Sequence, residues 1–253
     1  MTHDDRTAHA IRLLLDARAT GARLPELPAG ARPLTAGDAY RIQDGVVREL
    51  GPIVAWKVGA KSPESEPTCA PISTASLHPS PASFAPGAFA LNGIEAELAF
   101  TFAQDLPPRA RAYDARDIVD AIASVHPVIE VVESRYVDPQ RVDALSQLAD
   151  CVSHGALVVG PGIALPPGFD VGEQVVELDI AGERAVSDRN SNTAGDPFRL
   201  LAWLANHAAA RCGGLRHGDV VTTGSWTGLK IAPQGASVRA CFPGIGEARI
   251  NAT

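Results

Sequence analysis

Ile94-Glu95-Ala96-Glu97-Leu98-Ala99-Phe100 reads as a buried strand carrying two carboxylates, and Val128-Ile129-Glu130-Val131-Val132 reads as a second strand carrying a third. Burying a carboxylate is costly unless a cation compensates it. Glu95 and Glu97 are two residues apart, so on a strand both side chains project from the same face. No Lys or Arg lies between Pro67 and Phe100, so the neighbouring sequence offers no ion pair. The simplest partner is a hard divalent cation, Mg²⁺ or Mn²⁺, which takes oxygen ligands and keeps water positions that a substrate can replace. The plainer alternative is a half-exposed strand with two solvated glutamates, and Glu-x-Glu alone is common by chance. The carboxylate of the second strand narrows the difference, and the segments around it decide.

Upstream, Thr7 to Ala19 places Ile11, Leu14, Leu15 and Arg18 at helical spacing. After a Pro-rich turn, Thr35-Ala36-Gly37-Asp38 has the form of a capping box before a second helix, with Ala39, Ile42, Val46, Val47 and Leu50 on one face. From Ile53 the pattern changes to short apolar strands and turns. Val54 to Gly59 is a strand candidate that holds Lys57, and Pro67 to Gly93 predicts a long irregular loop or a loop with one short strand. Asp114 to Val125 predicts a helix with Asp114 as N-cap, and Pro139 to Ala149 another short one. Val175 to Ile180 alternates and turns back at Ala181-Gly182-Glu183. Asp196-Pro197 opens a helix through Cys212 that Gly213-Gly214 ends. Asp219 to Ile250 predicts three strands. The whole is α+β, with a mostly β core of mixed sheets behind an N-terminal helical layer (1–52).

The 253 residues are 45% hydrophobic and 20% charged, which is the balance of a globular protein rather than a disordered one. A formal charge of −7 without any Lys/Arg-rich run argues against nucleic acid as a partner. Cys69, Cys151, Cys212 and Cys241 lack CxxC spacing and form neither a zinc motif nor a disulfide framework. The acidic start Met1-Thr2-His3-Asp4-Asp5 has no apolar signal core, and no apolar run reaches membrane-spanning length. Cytoplasm is the expected compartment, with no membrane partner.

Lys57, between Trp56 and Val58, has two readings of equal weight. Near a metal-bound substrate it would move protons, with its pKa lowered by burial and by the cation. On an edge strand it would snorkel to water. Asp150-Cys151-Val152-Ser153-His154-Gly155 contains a serine beside a histidine, but adjacent side chains on a strand point apart and no Gly-x-Ser-x-Gly elbow exists. Ser153 therefore fits a hydrogen bond to substrate better than nucleophilic attack. The loop Thr222-Thr223-Gly224-Ser225-Trp226-Thr227-Gly228 offers amides for a carboxylate, although a plain turn explains its glycines equally well. His126 reads as structural and His217 as a turn residue.

Taken in order, these segments resemble the fumarylacetoacetate hydrolase-like superfamily, and within it the 2-keto-4-pentenoate hydratase and 4-oxalocrotonate decarboxylase branch. The likeness starts at Asp38-Ala39-Tyr40-Arg41-Ile42-Gln43 and runs through Trp56-Lys57-Val58-Gly59, both glutamate strands and Glu133-Ser134-Arg135. It continues in Ala149-Asp150-Cys151-Val152-Ser153-His154-Gly155 and Gly218-Asp219-Val220-Val221-Thr222-Thr223-Gly224, and closes at Gly244-Ile245-Gly246. It implies the fold of that superfamily's C-terminal domain over 53–253, as a metal-binding catalytic domain. It also implies Mg²⁺ or Mn²⁺ on Glu95, Glu97 and Glu130, a proton-handling Lys57 and a catalytic Ser153. Thr223, Gly224 and Ser225 would then hold substrate.

The implied activity is that of a metal-dependent lyase, a hydratase of 2-hydroxy-2,4-dienoate or 2-keto-4-enoate acids from aromatic catabolism. The implied assembly is a homo-oligomer, or a pair with a partner enzyme of the same pathway. One departure bears on the reaction. Ala75 occupies the place where the branch's hydratases carry a loop acid, and no Asp or Glu lies between Glu66 and Glu95. Asp150 and Glu133 are the nearest candidates to replace it. A decarboxylase of 2-oxo-dioates, which needs an electron sink but no base for water, is the runner-up, and Lys230 is a candidate for its second carboxylate beside a plain surface reading. An acylpyruvate-type hydrolase and a non-catalytic family member are the remaining alternatives.

Overall fold

The computed structural model describes residues 3–253. Five helices and thirteen strands alternate along it. The helices are α1 (His3–Thr20), α2 (Ala36–Leu50), α3 (Ala115–Ala121), α4 (Ala144–Ala149) and α5 (Pro197–Cys212). The strands are β1 (Ile53–Gly59), β2 (Thr68–Ser73), β3 (Leu77–Pro79), β4 (Gly93–Phe102), β5 (Ile122–Val132), β6 (His154–Val159), β7 (Ile163–Ala164), β8 (Val175–Ile180), β9 (Glu183–Arg189), β10 (Val220–Thr222), β11 (Lys230–Ile231), β12 (Val238–Phe242) and β13 (Gly246–Ile250). This is the expected α+β class.

The larger sheet is mixed, in the order β2-β1-β10-β4-β5-β6-β3, with β11 added to β4 and β7 to β5. β1/β10 and β3/β6 are its parallel pairs. A four-stranded antiparallel sheet, β13-β12-β8-β9, packs on β5 and β6. The large sheet sends alternate residues to different environments. Trp56, Val58, Ile94, Ala96, Leu98, Phe100, Ile129, Val131 and Val158 enter the main core. Residues of opposite parity (Ala55, Ala99, Val128 and Leu157) form a second, smaller cluster on the other face. Lys57, Glu95, Glu97 and Glu130 share the parity of that second face, so the two-residue period of the strands gathers them.

α1 and α2 pack against each other and α2 lies on β2 and α4. Ala10, Leu14, Ala39, Ile42 and Val46 join the main core, and Gln43 Nε2 donates to the Cys69 carbonyl at 3.1 Å. The Thr35/Asp38 capping box forms as the sequence predicts. No described helix is long and apolar enough to cross a membrane.

Four segments differ from expectation. The stretch 67–93 contains two strands, β2 and β3. β2 pairs only with β1, and an edge strand tolerates Pro71 and the weak strand formers around it. The helix after Asp114 stops at Ala121, because pairing with β4 recruits Ile122 onward into β5. Residues 139–149 form a 3₁₀ turn (Pro139–Arg141) and then α4, which Asp143 caps anew by accepting from Ser146 N. The tail forms four short strands rather than three.

Candidate metal centre

Register on the sheet builds the centre. Glu95 sits directly opposite Glu130 across the β4/β5 pair, and Glu97 lies one step along the same face. Like charges facing each other on adjacent strands repel, yet one oxygen from each of Glu95, Glu97 and Glu130 lies within 4.8 Å of the others. Glu97 and Glu130 are buried, and Glu95 is partly so. Their donors are few. Glu97 Oε2 accepts from the Thr222 hydroxyl and from Gly224 N at 3.0 Å. Glu130 Oε1 accepts from Lys57 Nζ at 2.5 Å and faces His154 Nδ1 at 3.0 Å, while Glu130 Oε2 is buried without any partner.

An unpartnered buried carboxylate oxygen in a set of three is an open coordination position. The donor set is all oxygen, which fits a hard cation such as Mg²⁺ or Mn²⁺.

The electrostatics agree. Burial, then the charges of Glu130 and Glu95, push the Glu97 carboxyl well above the ordinary range, and burial with the Glu130 charge raises Glu95 as well. Burial also opposes ionisation of Glu130, but Lys57 and His154 outweigh it and hold that carboxyl below its ordinary value. For Lys57, the lowering expected from a neighbouring cation belongs to the metal-loaded site, and the protein's own groups give a different balance. Burial by itself lowers the ammonium, but Glu130 more than reverses this and raises its pKa. His154, whose Nε2 faces Ser76 Oγ at 3.1 Å, is pushed down by burial, which favours the neutral ring.

A cavity of about 320 Å³ opens over these residues, at the small end of the ~300–1,000 Å³ typical of ligand sites. Lys57, Glu95, Glu97, Glu130, Gly224 and Ser225 line it. Its floor depends on two glycines. Gly224 has φ +82°, a left-handed conformation that favours glycine, and its backbone packs against that of Gly59. Asn192, buried between β9 and α5, donates to the carbonyls of Thr223 and Gly224 at 2.9 and 3.3 Å and fixes the loop that carries Gly224 N.

The other candidates lie elsewhere. Ser153 does not line the cavity. Cys151, Val152 and Ser153 form a turn with φ of 52°, 51° and 56°, and it is the Val152 carbonyl that this turn presents, accepting from Lys57 Nζ at 3.0 Å. Left-handed backbone costs ~1–2 kcal/mol per non-glycine residue, so the turn holds a strained conformation beside the lysine. Thr223 directs its hydroxyl to the Leu98 carbonyl at 2.8 Å, away from the cavity.

Ala75 is exposed and lines a different cavity, on the side of His154 that holds Ser76. Asp150 is bound by Arg135, and Glu133 accepts from Leu91 N at 2.8 Å, so neither replaces a loop acid over the metal centre. Lys230 faces Ile94 on β11 and does not line the cavity. His126 is structural, with Nε2 on Ser124 Oγ and Nδ1 on the Gly160 carbonyl. Sequence reasoning missed three groups that hold the centre together. Thr222 and His154 lay within stretches already singled out, whereas nothing in the sequence marked Asn192.

Residues 53–251 match the family model described as fumarylacetoacetate (FAA) hydrolase C-terminal. The chain is 28% identical over 159 residues to 2-hydroxyhexa-2,4-dienoate hydratase of Comamonas testosteroni, covering 63% of this chain and 59% of that protein. It is 27% identical over 130 residues to 4-oxalocrotonate decarboxylase of Pseudomonas putida, covering 51% and 49%. The match thus spans about half to three-fifths of the length of these curated relatives. In fold, the structure of 4-oxalocrotonate decarboxylase from Pseudomonas putida G7, complexed with magnesium and adipate, superimposes with a TM-score of 0.88 at 22% identity, over 99% of this chain and 98% of that one.

Proposed function

The chain belongs to the fumarylacetoacetate hydrolase C-terminal family, and on that premise we propose that it is a metal-dependent lyase that hydrates 2-hydroxy-2,4-dienoate or 2-keto-4-enoate acids. The observation that carries this reading is the trio of buried Glu97 and Glu130 and partly buried Glu95, with its orphaned Glu130 Oε2, facing one cavity together with Lys57. The residues fit Mg²⁺ or Mn²⁺. When bound, that ion supplies a positive charge that polarises the substrate's C1 carboxylate and 2-oxygen.

The chain's own groups do the rest. Lys57 Nζ gives two of its three N–H donors to Glu130 and Val152, which leaves one for the cavity. It is placed to move a proton between the 2-oxygen and the far carbon of the diene, after which water adds across the remaining double bond. Ser225, buried beside Glu95, and the Gly224 backbone orient the acid end of the substrate. Neutral His154 holds Glu130 Oε1 in place, so that Oε2 stays directed to the metal position.

A second reading, decarboxylation of a 2-oxo-dioate, is supported by one observation. Among the described residues, the only carboxylate lining the cavity besides the trio is Glu66, which is exposed and accepts from Trp203 Nε1 at 2.7 Å. Loss of CO₂ needs the polarised 2-oxo group but no base for water. Product analysis by NMR, after incubation of 2-hydroxypenta-2,4-dienoate and of 4-oxalocrotonate with protein and Mg²⁺, separates the two. A 4-hydroxy-2-oxo acid supports hydration and a dienol supports decarboxylation. No Mg²⁺-dependent change in either compound defeats both.

A further inference from the structure

The metal cavity has a second end. Its floor is made of buried groups (Glu97, Glu130, Ser225), while exposed residues from the segment between β1 and β2 form part of its rim. Lys61 belongs to that rim. It follows Gly59 and Ala60, four residues beyond Lys57, so its Cα lies within ~14 Å of the Lys57 Cα even if the chain is fully extended. The two lysines differ in what they already hold. Lys57 is committed to Glu130 and the Val152 carbonyl. Lys61 lines the same cavity with no ion pair and no side-chain hydrogen bond among the described residues.

The acid on the same rim forms no ion pair with it among the described residues, and the Glu66 carboxylate is instead turned to Trp203 Nε1 at 2.7 Å. Another positive charge stands beside the segment. Arg199 Nη1 donates to the Ser65 carbonyl at 3.5 Å, and its Nε and Nη2 are buried without partners.

We propose that Lys61 binds a second, distal carboxylate of the substrate, and that the site therefore selects dioates over monocarboxylates of the same length. The inference rests on the reading that the C1 end sits over the glutamate trio. Of the uncommitted cations lining the cavity, Lys61 is the one placed at the rim, whereas Lys230 lies outside it. A charge-assisted hydrogen bond between ammonium and carboxylate is among the stronger polar contacts available at such a site. It also has a consequence for the reaction. A carboxylate paired with a lysine is held in its charged ground state, and losing it as CO₂ removes the charge that the lysine stabilises. Lys61 therefore makes the distal carboxylate a handle rather than a leaving group, which favours hydration of a dioate over its decarboxylation.

The test is a pair of ligands that differ only in the distal group, 2-oxoadipate and 2-oxohexanoate, titrated calorimetrically into the full chain with Mg²⁺. Wild-type protein should bind the dioate about two- to fivefold more tightly than the monoacid, the value of a charge pair at a solvent-exposed rim. Lys61→Gln should remove that preference and leave 2-oxohexanoate binding unchanged, and Lys61→Arg should restore most of it. Equal affinity of wild type for both acids, or an equal loss for both in Lys61→Gln, overturns the role of Lys61 while Mg²⁺-dependent binding of 2-oxohexanoate still upholds the metal centre. If neither acid binds in a Mg²⁺-dependent way, the metal reading fails and takes this proposal with it.

Discussion

Two carboxylate sites, one at Asp150 and one at Glu95, Glu97 and Glu130, show opposite electrostatics. Asp150 is fully buried and met by two guanidiniums: Arg135 bonds it through both Nε and its backbone N, and Arg18 approaches to 3.6 Å. Arg135 is satisfied in turn by the carbonyls of His154 and Asp150 at 2.9 and 2.8 Å. Around Glu95, Glu97 and Glu130, three carboxylates share one ammonium, and one oxygen has no partner at all. Both oxygens of Asp150 are engaged by Arg135, whereas the glutamate trio leaves a carboxylate oxygen open. The positive charge missing from the glutamate trio is the charge that a divalent ion brings.

Replacing a member of each site should separate the two kinds of burial. The largest expected effect is on Glu97→Gln, which should abolish Mg²⁺ binding and the turnover that depends on it. The metal-free fold should not weaken, because the amide oxygen of glutamine still accepts from Thr222 and Gly224 N and one of three repelling charges is gone. Calorimetric Mg²⁺ titration and thermal unfolding of the same sample check both halves. Retained Mg²⁺ affinity would remove Glu97 from the ligand set, and a large loss of metal-free stability would make the trio structural.

Next in size is Asp150→Ala, which leaves the buried Arg135 without its counter-ion. Breaking such a pair costs ~3–5 kcal/mol, a large share of the ~5–15 kcal/mol that holds a domain together. Urea unfolding should report the loss with or without Mg²⁺. A variant as stable as the parent would show that Arg135 is held by its carbonyl partners alone, and the contrast between the sites would collapse.

How much of this was legible depended on the reach of the pattern. Strand parity placed Glu95 and Glu97 on one face, and the second apolar run brought in Glu130, because alternation is a local property of the chain. Register is not local. That Glu95 faces Glu130, or that Lys57 reaches Glu130 across 73 residues, follows from which strands pair, and no residue between them announces it. The edge strand β2 was hidden because its stability comes from β1 rather than from its own Pro-containing sequence. Ser153 drew attention as the hydroxyl of a polar cluster. The contact that matters there is the Val152 carbonyl, a backbone group set by a strained turn that composition does not reveal. Lys61 went unremarked for the opposite reason: an exposed lysine in a loop has no signal until the cavity beside it is seen.

The smallest expected effect is on the pH dependence of stability, and its sign is opposite to that of an ordinary salt-bridged acid. Glu97 and Glu95 have pKa values raised by burial above those of the unfolded chain. Between the unfolded and folded values the native state therefore holds more protons, and stability falls as pH rises through that window. Glu130 is lowered, so its contribution is present above the ordinary carboxylate range and is lost only as pH falls below it. In the metal-free protein the first effect should dominate from the carboxylate range upward, as a gentle loss of thermal stability towards neutrality. Mg²⁺ should reverse it, because protons and metal compete for the same oxygens and the metal-bound state gains as they ionise. The rise in Tm on adding Mg²⁺ should therefore grow as pH climbs above the ordinary carboxylate range, because both Glu95 and Glu97 are raised, and Glu97→Gln should flatten the metal-free slope. A Mg²⁺ shift that is constant with pH, or larger at the acid end, would mean that the trio is already ionised without metal, and that the cation it lacks is supplied by the protein itself.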